Sequence, residues 1–309
     1  MTGASPFAAI PMRAWVLLPL LACAWGATWP LMKIGTADIP IFTFRALTGV
    51  IAGVALLGLG GLRFGRLRPL KSEWRGILIC APISVTGWFY FSALGVTLLP
   101  ASRAALLAYT MPLWAFIIGV MFLKEPVLKR RCLGVAAGVG AIVLLARDDM
   151  AQAVGSGLPW GIFAITAAAI VWSVGSTLQK EFNFQSPVTA IAGWQLLIGA
   201  VPLAVLALIF DGADWMAQVG WQPWAALLGV ALISQATGMW TWFTILQMTS
   251  MAFASLSVLA VPLIGMGLSM LLLGEPIGWV EIAGFALITL GLGTVLPFDR
   301  LFSRRRGRG

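Results

Sequence analysis

The stretch 104–126, AALLAYTMPLWAFIIGVMFLKEP, returns as 254–276, ASLSVLAVPLIGMGLSMLLLGEP. Without a gap, Ala104, Leu106, Pro112, Leu113, Leu123, Glu125 and Pro126 align with Ala254, Leu256, Pro262, Leu263, Leu273, Glu275 and Pro276, always 150 positions on. Each copy is an apolar run interrupted near its middle by proline and closed by Glu-Pro. A proline inside a helix removes a hydrogen bond and kinks the axis. Inside a bilayer such a kink is tolerated where neighbouring helices or a water-filled cavity serve the freed carbonyl. A duplicated kinked helix therefore predicts the wall of a pathway. A purely structural kink between core helices is the competing role.

Composition places the chain in a membrane. It is 60% hydrophobic and 10% charged, with a mean hydropathy of +0.95, whereas soluble domains carry about 25% charged residues. At roughly 20 residues per helical span, the 309 residues hold ten spans with short connections. The apolar runs are long and unbroken, without the alternation of outer-membrane strands. The net charge of +9 does not point to nucleic acid, because the basic residues fall between apolar runs and in the tail 300–308, where they encode orientation. Cys23, Cys80 and Cys132 match no metal or redox spacing. Histidine is absent, which removes the usual general base and metal ligand. No metal or cofactor is expected. Arg13 followed by WVLLPLLAC resembles a signal peptide, but the apolar run continues through Trp25 and Trp29 to Ile34, too long for one. It is read as a retained first helix.

The spans expected are 14–34, 39–60, 76–98, 102–123, 128–146, 158–178, 187–209, 222–246, 252–273 and 278–297, an all-α integral membrane fold without a soluble domain. With the N-terminus in the cytoplasm, the inner segments hold sixteen of the 20 basic residues. Lys33, Arg45, Arg103 and Arg147 remain on the outer side or at outer span ends, and both termini are cytoplasmic. The repetition reaches beyond the opening stretch. Trp25, Lys33 and Pro40 return as Trp172, Lys180 and Pro187, 147 positions on, and Gly134 returns as Gly284. Two repeats follow, 1–150 and 151–309, the second ending in the basic cytoplasmic tail. Five spans per repeat is an odd number, so the second enters the membrane inverted. Inverted repeats mark alternating-access transporters, whose substrate sits near the midplane where the repeats meet.

Two five-helix repeats, each opening with a Trp-containing helix and closing with Pro…Glu-Pro before a glycine-rich last helix, resemble the EamA type of the drug/metabolite transporter superfamily over residues 14–297. The resemblance implies a ten-helix basket in the bacterial inner membrane that opens alternately to each side and exports small metabolites. Within the superfamily the chain is most similar to exporters of aromatic and other neutral amino acids.

Among individual residues, Gly49-x-x-x-Gly53, Gly134-x-x-x-Gly138, Gly284, Gly291 and Gly293 suit close helix packing. Glu125 and Glu275 suit helix starts, where a carboxylate meets the positive end of the dipole. No Asp or Glu stands at mid-depth, Glu281 coming nearest, so no proton carrier is evident. Lys33 and Lys180 end the first and sixth spans, where snorkelling to the interface competes with contact to a substrate carboxylate. Trp15, Trp160, Trp215, Trp221 and Trp279 suit interfacial anchoring. Deeper aromatic and polar groups remain for a substrate: Ser84, Trp88 and Tyr90 in the third span, Tyr109 and Pro112 in the fourth, Trp172 in the sixth, Gln235 and Trp242 in the eighth, Ser255 and Pro262 in the ninth. Ser84, Gly87 and Phe91, like Gln235, Gly238 and Trp242, follow i, i+3, i+7 and share a helical face. Packing in the core is the competing role for each. The expected partners are a small-molecule substrate, amino acids foremost, and the lipid bilayer, with the chain acting as a monomer. Another metabolite or drug is the alternative cargo. A membrane-embedded enzyme lacks the nucleophile, acid pair or metal cluster it needs.

Overall fold

The computed structural model describes residues 11–65, 67–123, 129–156, 159–217, 219–248 and 251–295. Among them there is no strand. The helices are α1 (Met12–Gly26), α2 (Thr28–Asp38), α3 (Ile41–Phe64), α4 (Trp74–Ala81), α5 (Trp88–Leu98), α6 (Ala101–Ala108), α7 (Met111–Leu123), α8 (Lys129–Ser156), α9 (Trp160–Phe182), α10 (Val188–Phe210), α11 (Trp221–Leu228), α12 (Gly238–Met248), α13 (Met251–Leu273) and α14 (Trp279–Val295). Six helical stretches are long and apolar enough to cross a membrane: 12–38, 41–63, 71–98, 101–122, 160–182 and 188–210. Shorter apolar helices occupy the positions expected for the fifth, ninth and tenth spans, at 132–147, 260–273 and 279–294.

Several spans are interrupted where backbone donors are missing. Pro30 leaves Gly26 without an i+4 partner, and α1 gives way to α2 at Ala27. Pro82 opens a π-helical segment, Pro82–Gly87, between α4 and α5. A second π segment, Gly229–Thr237, joins α11 to α12 without any proline. The two copies of the opening motif differ. Before Pro112 the helix ends at Ala108 and restarts at Met111, whereas Pro262 lies inside the continuous α13.

Glycines bring the helices together in antiparallel pairs. A Cβ added to Gly53 would stand 2.9 Å from Leu197 Cγ and 3.0 Å from Gly193 O, and one added to Gly193 would stand 2.8 Å from Leu57 Cγ. Gly49 lies against Ala200, so α10 descends as α3 rises. Likewise α8 and α14 cross with Gly291 2.9 Å from Gly134 O by the same measure, and Gly284 meets Leu145.

Carboxylates tie the ends of these helices across the molecule. Asp211, after α10, accepts from Thr43 N (2.8 Å) and Thr43 Oγ (2.7 Å) in the first turn of α3. Glu73, after α3, accepts from Ser186 N (3.0 Å) and Ser186 Oγ, just before α10. Glu275 accepts from Ala101 N (2.7 Å), Ser102 N (2.9 Å) and Ser102 Oγ (2.7 Å) at the start of α6. It is a helix cap, but for a helix of the other half and not for the one it precedes. Glu125 and Pro126 lie outside the described residues. Glu281 accepts from Gly278 N (2.9 Å) and pairs with Arg103 Nε at 2.8 Å.

Gly193→Val should cost about 1–3 kcal/mol of stability through overpacking, read as a lower thermal midpoint in detergent. Gly58→Ala, where a Cβ meets nothing within 4 Å, should leave the midpoint unchanged or raise it. Glu275→Gln should cost about 1–3 kcal/mol of stability, read as a lower midpoint, because a carboxamide turns a donor toward backbone groups that are themselves donors. An unchanged midpoint would mean that the cap at α6 contributes nothing.

Candidate functional site

The interruptions converge on an aromatic centre. Trp88, immediately after the first π segment, has its ring 5.2 Å from Trp172 on α9 and 6.3 Å from Trp29 on α2. Trp242 on α12 lies 5.6 Å from Trp25 on α1. Close approach of the backbones permits this. The indole of Trp25 fills the space where a side chain on Gly238 would stand, Gly87 lies against Val171, and Gly175 lies against Ser84. The break in the fourth span is fastened to the same region: Ser173 Oγ lies 2.7 Å from both Met111 O and Ala169 O. Tyr109 is buried at that break, Pro112 is half-buried beside it, and Pro262 is buried in α13.

The structure thus joins Trp88 with Trp172, and brings Trp242 to Trp25. It sends Tyr90 elsewhere, stacked on Phe42 of α3 at 5.5 Å with the rings nearly parallel. The side chain of Ser255 lies outside the described residues. Of the residues expected to share a face, Ser84 and Gly87 both lie against α9, and Gly238 and Trp242 both lie against Trp25, although each span carries a π segment. Ser84 Oγ receives a long hydrogen bond from Gln179 Nε2 (3.5 Å).

Polar atoms without partners cluster in the second π segment and α12. Ser234 Oγ, Gln235 Oε1 and Thr241 Oγ are buried and make no hydrogen bond among the described residues, as are Thr189 Oγ and Gln195 Nε2 on α10. Buried polar atoms are ordinarily satisfied, and π segments recur at functional sites. Two clefts approach from opposite ends of the bundle. One, of about 270 Å³, is bounded by Leu56, Thr189, Ala192, Met239, Trp240 and Thr244. The other, of about 630 Å³, is bounded by Lys33, Thr36, Thr97, Gln222 and Leu273.

Two cations are held by backbone carbonyls. Lys33 stays at a span end, where its Nζ donates to Val96 O (2.7 Å), Thr97 O (3.3 Å) and Leu99 O (2.8 Å), capping the C-terminus of α5. A cation there meets the negative end of the helix dipole. Arg45, assigned from sequence to an outer span end, is 1% exposed. Charge alone gave no signal for this. The available signal was its position five residues into an otherwise apolar run.

The comparisons with known proteins agree with this architecture. The EamA-like transporter family matches residues 13–147 and again 159–296. The Bacillus subtilis protein named Uncharacterized transporter YoaV is 26% identical over 91% of this chain and 95% of its own length. A Salmonella typhimurium protein named Probable amino-acid metabolite efflux pump is 24% identical over 88% of this chain and 91% of its own. A solved crystal structure superposes with a TM-score of 0.64 at 23% identity, covering 95% of this chain and 98% of that one, which shows a shared fold. With both matches spanning most of its length, this multi-pass membrane protein belongs to the EamA-like transporter family.

Proposed function

We propose that the protein exports neutral amino acids, aromatic ones foremost, across the bacterial inner membrane by alternating access of two inverted five-span repeats, 1–150 and 151–309, as a monomer with both termini cytoplasmic. The observation that carries this reading is the pair of π-interrupted spans, Pro82–Gly87 and Gly229–Thr237, meeting first-span and sixth-span tryptophans at one aromatic centre. Broken helices in corresponding positions of two halves are where transporters hold their substrates. Apolar walls with a few convergent polar groups suit a neutral amino acid with an apolar side chain. The antiparallel pairing of α3 with α10 and of α8 with α14 supports the inverted repeat, and the Salmonella typhimurium relative's name supports amino-acid cargo.

Ser84, Trp88, Tyr90, Tyr109, Pro112, Trp172, Gln235, Trp242, Ser255 and Pro262 are the residues this reading assigns to substrate. Trp88, Trp172 and Trp242 would pack against the substrate side chain, and Gln235 would hydrogen-bond its polar end. The reading includes no proton coupling. Glu73, Asp211, Glu275 and Glu281 are each engaged with backbone N–H groups, so their charge holds helix ends.

Labelled Phe, Thr and Met should enter proteoliposomes saturably, compete with one another, and do so equally with and without a protonophore. Accumulation driven by an imposed pH jump would overturn the uncoupled mechanism. Uptake by folded protein of another metabolite, but of no amino acid, would overturn the cargo. Trp242→Ala and Gln235→Ala should each lower uptake by roughly tenfold, about 1.4 kcal/mol, with folded protein retained. Unchanged uptake would remove that residue from the site.

A further inference from the structure

Arg45 carries a positive charge in the interior with no counter-charge among the described residues. It is 1% exposed, and an arginine remains protonated in proteins. Its Nε donates to Phe89 O (3.0 Å) and its Nη2 to Ser92 Oγ (3.1 Å), both neutral acceptors. The guanidinium carbon lies 3.9 Å from the centroid of the Phe89 ring. Nη1 is buried without any partner, and no carboxylate among the described residues forms an ion pair with it. Asp211 is occupied two residues earlier, at Thr43. Phe89 and Ser92 lie six to nine residues before the end of α5, so the guanidinium sits roughly 9–14 Å below that end at 1.5 Å rise per residue. Arg45 itself stands four residues after Ile41, the start of α3, about 6 Å along that helix, so the guanidinium lies inside the helical layer and not at its surface.

A buried ion without a counter-charge is costly, and an ionisable group inside a membrane span is by default functional. The neighbours already in place hold the guanidinium's orientation without neutralising it. Phe89 adjoins Trp88 of the aromatic centre, and Phe42, on the same helix as Arg45, stacks with Tyr90. Ser92 Oγ accepts from Nη2 and donates to Phe89 O at 3.3 Å, a donation that does not depend on the guanidinium. A carboxylate that takes Nη2 from Ser92, together with the partnerless Nη1, meets a forked edge, the geometry that binds a carboxylate through two hydrogen bonds.

We infer that Arg45 receives the carboxylate of the transported molecule, which makes the cargo an acid and excludes its neutral amide. The inference deepens the reading of the chain as an amino-acid exporter and rests on it for the side chain the aromatic centre accepts.

The test is thermal unfolding of the full-length protein in detergent, titrated with two acid–amide pairs: phenylalanine with phenylalaninamide, and phenylacetate with phenylacetamide. The acids should raise the midpoint and bind on the order of tenfold more tightly than the amides, the range of a charge-assisted hydrogen bond. Arg45→Gln should abolish that preference, and Arg45→Lys, which keeps the charge without the fork, should weaken the acids while leaving the amides unchanged. Stabilisation by phenylacetate but not phenylalanine would uphold Arg45 and overturn the amino-acid reading. Equal binding of acid and amide, no stabilisation by either acid, or an acid preference that survives Arg45→Gln would overturn the role of Arg45. Should Arg45→Gln not fold, unchanged acid affinity in Arg45→Lys would overturn it.

Discussion

Backbone groups inside a bilayer have no water to turn to, and this constraint governs the whole structure. Wherever a proline or a break frees a carbonyl or an amide, a group from another part of the chain must serve it. Ser173 on α9 stands at the broken fourth span, Thr86 of the first π segment donates to Gly199 O at 2.7 Å, and Lys33 takes three carbonyls at the end of α5. The helix ends follow the same rule in reverse, with Asp211, Glu73 and Glu275 accepting the first amides of helices in the opposite half. These carboxylates are thus committed to architecture.

Those hydrogen bonds are long-range and tie the two halves together. One core cluster joins Trp29, Phe44 and Leu106 of the first half with Ile165, Leu227 and Val261 of the second. The antiparallel glycine contacts lock the lateral pairs. Gly53 and Gly193 approach so closely that any side chain there would strike backbone oxygen or a leucine branch. These lateral pairs stand beside spans that are interrupted by π segments. The partnerless atoms of Ser234, Gln235 and Thr241 fall in that same interrupted region, where a bound molecule would satisfy them.

Arg45 completes this arrangement from the opposite side of the charge balance. In water such a residue would be unremarkable. Between α3 and α5 it has two neutral acceptors and a ring face, and the cation–π contact offsets only part of the desolvation. A carboxylate arriving with the cargo supplies the missing charge beside Phe89 and Ser92. Binding energy for the acid would then come from a cost already present in the empty transporter.

Much of the fold was legible in the residues themselves. Span length and composition are local properties, so helices in a membrane, the break near Pro112 and the close packing at Gly49 and Gly53 followed from the chain read in order. The pairing of Trp88 with Trp172 was within reach because both stand deep in repeated spans. The π segment at Gly229–Thr237 was not, because it contains no proline. Nor could the sequence say that Glu275 would cap α6, that Lys33 would cap α5, or that Arg45 would turn inward. Each of these depends on a partner far away in the chain, which only the packed tertiary structure brings within hydrogen-bond distance. Local apolar length determines that a segment crosses the membrane, whereas satisfaction of its polar groups is decided by which other segment lies beside it.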